Sequence, residues 1–131
     1  MKDIPGIDDE GNPKNGPFEV LFKNGRVSCR GEFDNGKKSG KWTYFLNNGQ
    51  MQSTGSYKDG KIAGRWKWFY KTGEPRATGG FDDEEQKHGA WKRYHPNGQL
   101  WDEGRFEHGR KKGTWKVYDD TGELVREQTF K

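Results

Sequence analysis

Cysteine is nearly absent: Cys29 alone stands in 131 residues. An intramolecular disulfide is therefore excluded, and so is a thiolate metal cluster. Hydrophobic residues make up only 27% of the chain, and adding its 20 glycines still leaves the apolar share below the roughly 45–50%, glycine included, of ordinary globular proteins. A thick two-layer core is not available at that composition. The opening residues Met1, Lys2, Asp3, Ile4 and Pro5 contain no apolar stretch resembling a signal peptide or membrane span, so a reducing, cytoplasmic setting is the simplest expectation. A charge excess of one sign is also missing. Twenty-four Lys plus Arg against 20 Asp plus Glu leave +4, which permits an acidic partner without demanding one.

Catalytic constellations are missing too. Ser28, Ser39, Ser53 and Ser56 lack a nucleophile-elbow context, and no glycine-rich loop precedes a helix as phosphate cradling requires. His88, His95 and His108 do not show a metal-ligand spacing and read as exposed turn histidines, and the acidic run 82–85 reads as a solvated loop tip. The sequence predicts a non-enzymatic protein without cofactor or metal.

Aromatic residues and glycine are what the chain has instead. A mean hydropathy of −1.35 with 34% charged residues suggests disorder until the 15% aromatic content is counted, because disordered segments are poor in aromatics. Glycine, at 20 of 131, is about double its usual share of roughly 7%. It recurs at fixed places: Gly16, Gly40, Gly64, Gly89 and Gly113 lie 24, 24, 25 and 24 positions apart. Each is followed two residues later by an aromatic, Phe18, Trp42, Trp66, Trp91 or Trp115. A fixed period in this range marks a stacked-repeat architecture.

Within each copy two β-prone runs flank an Asn-Gly or X-Gly turn, and a second turn such as residues 34–40, 58–64 or 107–113 leads to the next copy. The predicted fold is all-β: a single-domain antiparallel meander of five stacked hairpins spanning residues 16–39, 40–63, 64–88, 89–112 and 113–131, about ten strands in all. Residues 1–15 form a leader, either a degenerate capping strand around Ile4 to Ile7 or disordered. Alternation puts Met51, Ser53, Gly55 and Tyr57 on one face, and Leu100, Asp102, Gly104 and Phe106 on the equivalent face. The glycine leaves a notch without Cβ, over which the indole of a neighbouring first strand is expected to lie. First-strand aromatics three apart break strict alternation, which calls for a bulge or twist.

These residues follow the skeleton Gly-x-Trp-x-x-Tyr-x-x-x-Gly-x-Leu-x-x-x-Gly-x-Tyr-x-x-Gly-Lys from Gly16 through Phe130. The pattern resembles the variant MORN repeat in the form found in the YwqK-type bacterial antitoxin family. That resemblance implies a protein that binds and neutralises a cognate toxin. It also implies a second possibility, association with anionic membrane lipid, since MORN repeats in general resemble lipid-associated domains. The copies depart from the skeleton at Phe18 and Leu21 in the first, Pro75 and the acidic joint in the third, and Gln128 in place of the notch glycine in the fifth.

Two tryptophans lie outside the template. Trp68 and Trp101 are aromatic at positions that sister copies mostly fill with polar or small residues, Trp101 matching Ser28, Gln52, Arg76 and Val125. They are candidate partner-binding residues because Trp and Tyr dominate interface hot spots, with Tyr44, Tyr70 and His95 extending the patch. Basic residues near the joints, Lys37, Lys38, Lys41, Lys58, Lys61, Arg65, Lys67, Arg110, Lys111, Lys112 and Lys116, form a candidate stripe for an anionic surface. Nucleic-acid binding ranks third, because acidic residues are interspersed throughout.

Overall fold

A computed structural model describes residues 4–131. It contains ten strands: β1 Gly16–Leu21, β2 Val27–Asp34, β3 Lys37–Phe45, β4 Met51–Lys58, β5 Lys61–Phe69, β6 Pro75–Phe81, β7 Lys87–Tyr94, β8 Leu100–Glu107, β9 Arg110–Tyr118 and β10 Leu124–Phe130. They form one sheet in sequential order, every pair antiparallel, and no helix occurs among the described residues. The predicted all-β meander is observed. A compact 15.2 kDa protein exposes roughly 7,100 Å², whereas this chain exposes 8712 Å². The excess is the signature of a single layer, and it explains how so few hydrophobic residues suffice.

The turns differ from the sequence reading. The tight two-residue turns lie between repeats, at Asn35 and Gly36 (φ 48° and 82°) and at Asp59 and Gly60 (φ 52° and 81°). Two consecutive positive φ angles define the turn whose twist suits a hairpin. These joints are therefore short, as is the one at His108 and Gly109, whereas the β6–β7 joint spans residues 82–86; Lys37 and Lys38 already belong to β3 rather than to a loop. The Asn-Gly turns inside the repeats are the longer ones, with Phe22 N–H donating to Arg26 O and Gly25 N–H to Phe22 O.

Two irregularities recur. Within each hairpin one residue of the second strand is extra: Ser28, Gln52, Arg76, Trp101 and Val125 each bulge out of register. Because a bulge flips the face of every residue beyond it, Met51 lines a different side from Ser53, together with Phe45, Thr43 and Arg30. The expected grouping of the aliphatic with the glycine and aromatic is thus corrected. Between hairpins, three residues of the incoming strand face a single glycine. Gly40, Lys41 and Trp42 stand against Gly31, and Gly64, Arg65 and Trp66 against Gly55. Positive φ at Gly40 and Gly64, 66° and 63°, lets the chain make this excursion.

The excursion carries the indole across the preceding hairpin. A Cβ on Gly31 would fall inside the Trp42 ring, and Gly55 stands in the same relation to Trp66, Gly79 to Trp91 and Gly104 to Trp115. The notch expected from sequence is real, and it is filled by the next repeat. Each indole N–H also donates to a second-strand carbonyl: Trp42 to Glu32 at 3.0 Å, Trp66 to Ser56 at 3.1 Å, Trp91 to Gly80 at 3.0 Å and Trp115 to Arg105 at 3.1 Å. Burial of these rings leaves no stranded polar atom. At the fifth notch position Gln128 is exposed.

The leader packs without forming a strand. Ile4 is buried with the aromatic cluster, Ile7 makes one bridge with Pro13, and Gly36 N–H donates to Lys14 O. The part of the leader at residues 1–3 lies outside the described residues.

Candidate functional site

The aromatic face is built as a near-parallel stack flanked by edge-on rings. Trp42, Tyr44, Trp66, Trp68 and Trp91 follow one another with centroids 5.3–6.5 Å apart and planes 25–27° from parallel. Phe33, Tyr57 and Phe81 close the sides in T-shaped contacts. Such pairs add about 0.5–1.5 kcal/mol each beyond area burial. Trp68 therefore belongs to the ladder, at the repeat position held by Val20, Tyr44, Arg93 and Val117 in the other copies. Tyr44 is corrected from the partner-binding set: it is 2% exposed, its hydroxyl is 3.1 Å from that of Tyr57, and Lys38 Nζ donates to it at 3.0 Å. Burial pushes the Tyr44 hydroxyl well above its ordinary pKa, and the Tyr57 bond adds to this.

The stack stops after Trp91, because the next position in its column is Arg93. Its guanidinium turns aside, donating from Nη2 to Asp102 Oδ2 at 2.6 Å and from Nε to both carboxylate oxygens at 3.1 Å. That fork raises the arginine pKa above its usual value. On its other side Arg93 lies 4.3 Å from the Trp101 ring. Where the stacked ring is missing a groove of about 610 Å³ opens, floored by Trp68, Trp91 and Trp115 and walled by Tyr70, Arg76, Arg93 and Trp101. Trp68 and Trp101 thus meet at one cavity without stacking on each other.

Trp101 is the bulge residue of its hairpin and is 37% exposed. His95 stacks on it at 5.1 Å and 19°, and the imidazole Nε2 is 2.9 Å from Tyr118 O in the next repeat. Tyr70 makes the corresponding bond, its hydroxyl donating to Tyr94 O at 2.6 Å. These two residues tie neighbouring repeats together as well as lining or supporting the groove.

The basic stripe divides between the two faces. Lys14, Lys38, Lys87 and Lys111 recur at the repeat spacing and hold their ammonium groups over rings, Lys38 4.9 Å from Tyr57 and Lys111 4.8 Å from Trp115. Ile62 takes this place in the third repeat. The sequence conceals this column because its members look like joint residues rather than strand residues, and alternation has no meaning in a joint. Alternation places Lys37, Lys41, Lys61, Arg65, Lys67, Arg110 and Lys112 on the opposite face, among Glu19, Glu32, Glu103 and Glu127. Arg65 donates to Ala90 O at 3.1 Å. The single stripe expected from sequence is therefore not one surface.

A family model described as MORN repeat variant matches residues 38–59, 87–108 and 111–131. The chain is a MORN-repeat protein. Those matches fall on the β3–β4, β7–β8 and β9–β10 hairpins; the first and third hairpins, with Phe18 and Leu21 or with Pro75 and the acidic joint, lie outside them. No curated protein sequence matches the chain. Among solved structures, the crystal structure of the GtfA/B complex bound to UDP and GlcNAc superposes with a TM-score of 0.32 at 12% identity, covering 94% of this MORN chain and 23% of that chain.

One grouping escapes a reading of the sequence. His88 and His108 lie with ring centroids 5.2 Å apart, and His108 Nδ1 is 2.7 Å from Asp82 Oδ2. The Asp82 bond raises the His108 pKa. Desolvation works to raise the Asp82 pKa, but the Gln86 amide, His108 and the Glu84 amide outweigh it and hold the carboxyl below its usual range. Protonated His108 contributes stability that is present below the ordinary imidazole pKa and lost as pH rises through its raised value. Ionised Asp82 contributes stability present above the ordinary carboxylate pKa and lost as pH falls through its lowered value. The pair therefore acts between those limits. NMR titration of Asp82→Asn should return the His108 pKa towards the ordinary value of about 6.5, and the Tm gap from the parent protein should close at alkaline pH.

Proposed function

We propose that this chain is a non-catalytic interaction module that captures a partner protein through the groove between its third and fifth repeats. The specific form of this proposal is an antitoxin that covers the working surface of a cognate toxin. The observation that carries the reading is the groove itself. Where Arg93 ends the aromatic stack, half-buried Trp68 and the buried rings of Trp91 and Trp115 line the cavity, and Lys87, Lys111 and Arg76 line it with them. An apolar side chain flanked by carboxylates is the complementary shape and charge, since desolvated aromatics and arginines concentrate binding energy. Protein capture is favoured over a lipid surface because the aromatic-face lysines ride on rings and the opposite basic residues are interleaved with glutamates. A lipid-binding face would present the basic charge on one side.

Trp101→Ser tests the groove without disturbing the sheet, because Ser28 fills the same bulge position in the first hairpin. With the partner recovered from the source cell by crosslinking, the variant should bind at least about thirtyfold more weakly, the hot-spot threshold of roughly 2 kcal/mol. Expressed alone the partner should arrest growth, and the parent chain but not the variant should restore it. A folded Trp101→Ser protein that captures and rescues as well as its parent would rule this groove out.

A further inference from the structure

We propose that Asp82, His88 and His108 form a binding site for one divalent first-row transition ion of the imidazole-preferring class, with Zn²⁺ as its representative. This site lies at the joint edge and does not depend on the groove. The donor atoms of the three side chains all lie within 4.8 Å of one another. Three ligands arrive from separate segments: Asp82 just beyond β6, His88 in β7 and His108 at the β8–β9 turn. A metal there would staple the third and fourth repeats across the outer ends of their strands.

The carboxylate is already aimed. Asp82 Oδ1 accepts the backbone N–H of Glu84 at 2.9 Å and of Gln86 at 3.0 Å, which leaves Oδ2 directed at His108. Outer hydrogen bonds of this kind orient a metal ligand and hold its geometry. The joint holding Asp82 is the long one, and its extra residue accounts for the 25-residue spacing. Zinc bonds to His nitrogen and carboxylate oxygen run about 2.0–2.2 Å, so tetrahedral donors sit about 3.4 Å apart. The Asp82 and His108 atoms, at 2.7 Å, need to part by less than about 1 Å to admit the ion. His88 is exposed on its strand and closes the remaining distance by a rotamer adjustment. The ion replaces the proton shared by Asp82 and His108, and nearby Glu84 and Glu107 add negative potential, as their influence on His108 shows. Two imidazoles and one carboxylate select zinc, nickel or copper over magnesium and calcium, which prefer all-oxygen shells. Water completes the open positions.

Sister joints supply variants that preserve the fold. Asn35 occupies the turn position of His108 with φ 48° against 47°, and Ser39 occupies the position of His88. Titrating untagged protein with Zn²⁺ should therefore show one ion bound per chain, with a Tm that rises with zinc concentration and does not respond to Mg²⁺. Ring resonances of His88 and His108 should move while those of His95 stay in place. His88→Ser and His108→Asn should each lose at least about tenfold in affinity, the lower end of what even outer-sphere partners contribute at metal sites. Unchanged zinc affinity in either variant, equal response to Mg²⁺, or shifts at His95 alike would overturn the proposal.

Discussion

Trp66→Ala should bring this protein close to unfolding, with an expected loss of about 4–5 kcal/mol, the upper part of the range for truncating a buried tryptophan. Three features put it there. The ring is 0% exposed; it is stacked on Tyr44 and Trp68 and met edge-on by Tyr57; and its N–H satisfies the Ser56 carbonyl. A two-layer protein can relax into such a void from both sides. A single sheet has no second layer to supply atoms, so the Gly55 backbone is left bare. Domains of this size rest on a margin of about 5–15 kcal/mol, and removing one central rung takes a large share of it. Trp115→Ala, nearer the end and 6% exposed, should cost less, about 3 kcal/mol. Urea unfolding followed by far-ultraviolet circular dichroism measures both. A Trp66→Ala loss below about 1.5 kcal/mol would show that the ring ladder is not what holds the repeats together. Because each repeat touches only its neighbours, the central variant should also broaden the transition as the two halves uncouple.

The same physics decides how much of the fold is legible in the residues alone. The glycine period and the tryptophan two places later are local chemistry repeated five times, and together they specify both the meander and the indole-over-glycine contact. Alternation is less dependable. Counting by twos past Gln52 or Trp101 crosses a bulge, and everything beyond it changes face, so the count assigns Met51 and Leu100 to the wrong neighbours. Tyr44 resembles a surface aromatic because its column is occupied by Val20, Trp68, Arg93 and Val117, a mixture that conceals a buried stack. The groove itself depends on one arginine ending that stack, a signal visible only once register is known. Asp82 and His108, 26 residues apart, are brought together by pairing across an intervening strand. No spacing rule for metal ligands anticipates that distance.

Gly55→Ala is the complementary experiment, and its sign is set by the indole alone. The Gly55 backbone lies outside the left-handed region, so alanine is allowed there, and in a strand free of other constraints it would gain about 0.5–1 kcal/mol over glycine. Here its methyl would occupy the space of the Trp66 ring. The ring cannot yield, being stacked on two faces and tied by its N–H, so the cost should reach about 3 kcal/mol, the top of the usual overpacking range. Introducing the same change into Trp66→Ala removes the obstruction and should make Gly55→Ala neutral or mildly stabilising. The double-mutant cycle should then report a coupling of about 3–4 kcal/mol between two residues on adjacent hairpins. Gln128 offers a comparison within the chain, occupying the notch position of the fifth hairpin with a full, exposed side chain. Gln128→Gly should lose about 0.5–1 kcal/mol, the ordinary penalty for glycine in a strand. If Gly55→Ala instead behaved like an unconstrained strand position, the repeats would be coupled through backbone pairing, and the tryptophans would be passengers on the sheet.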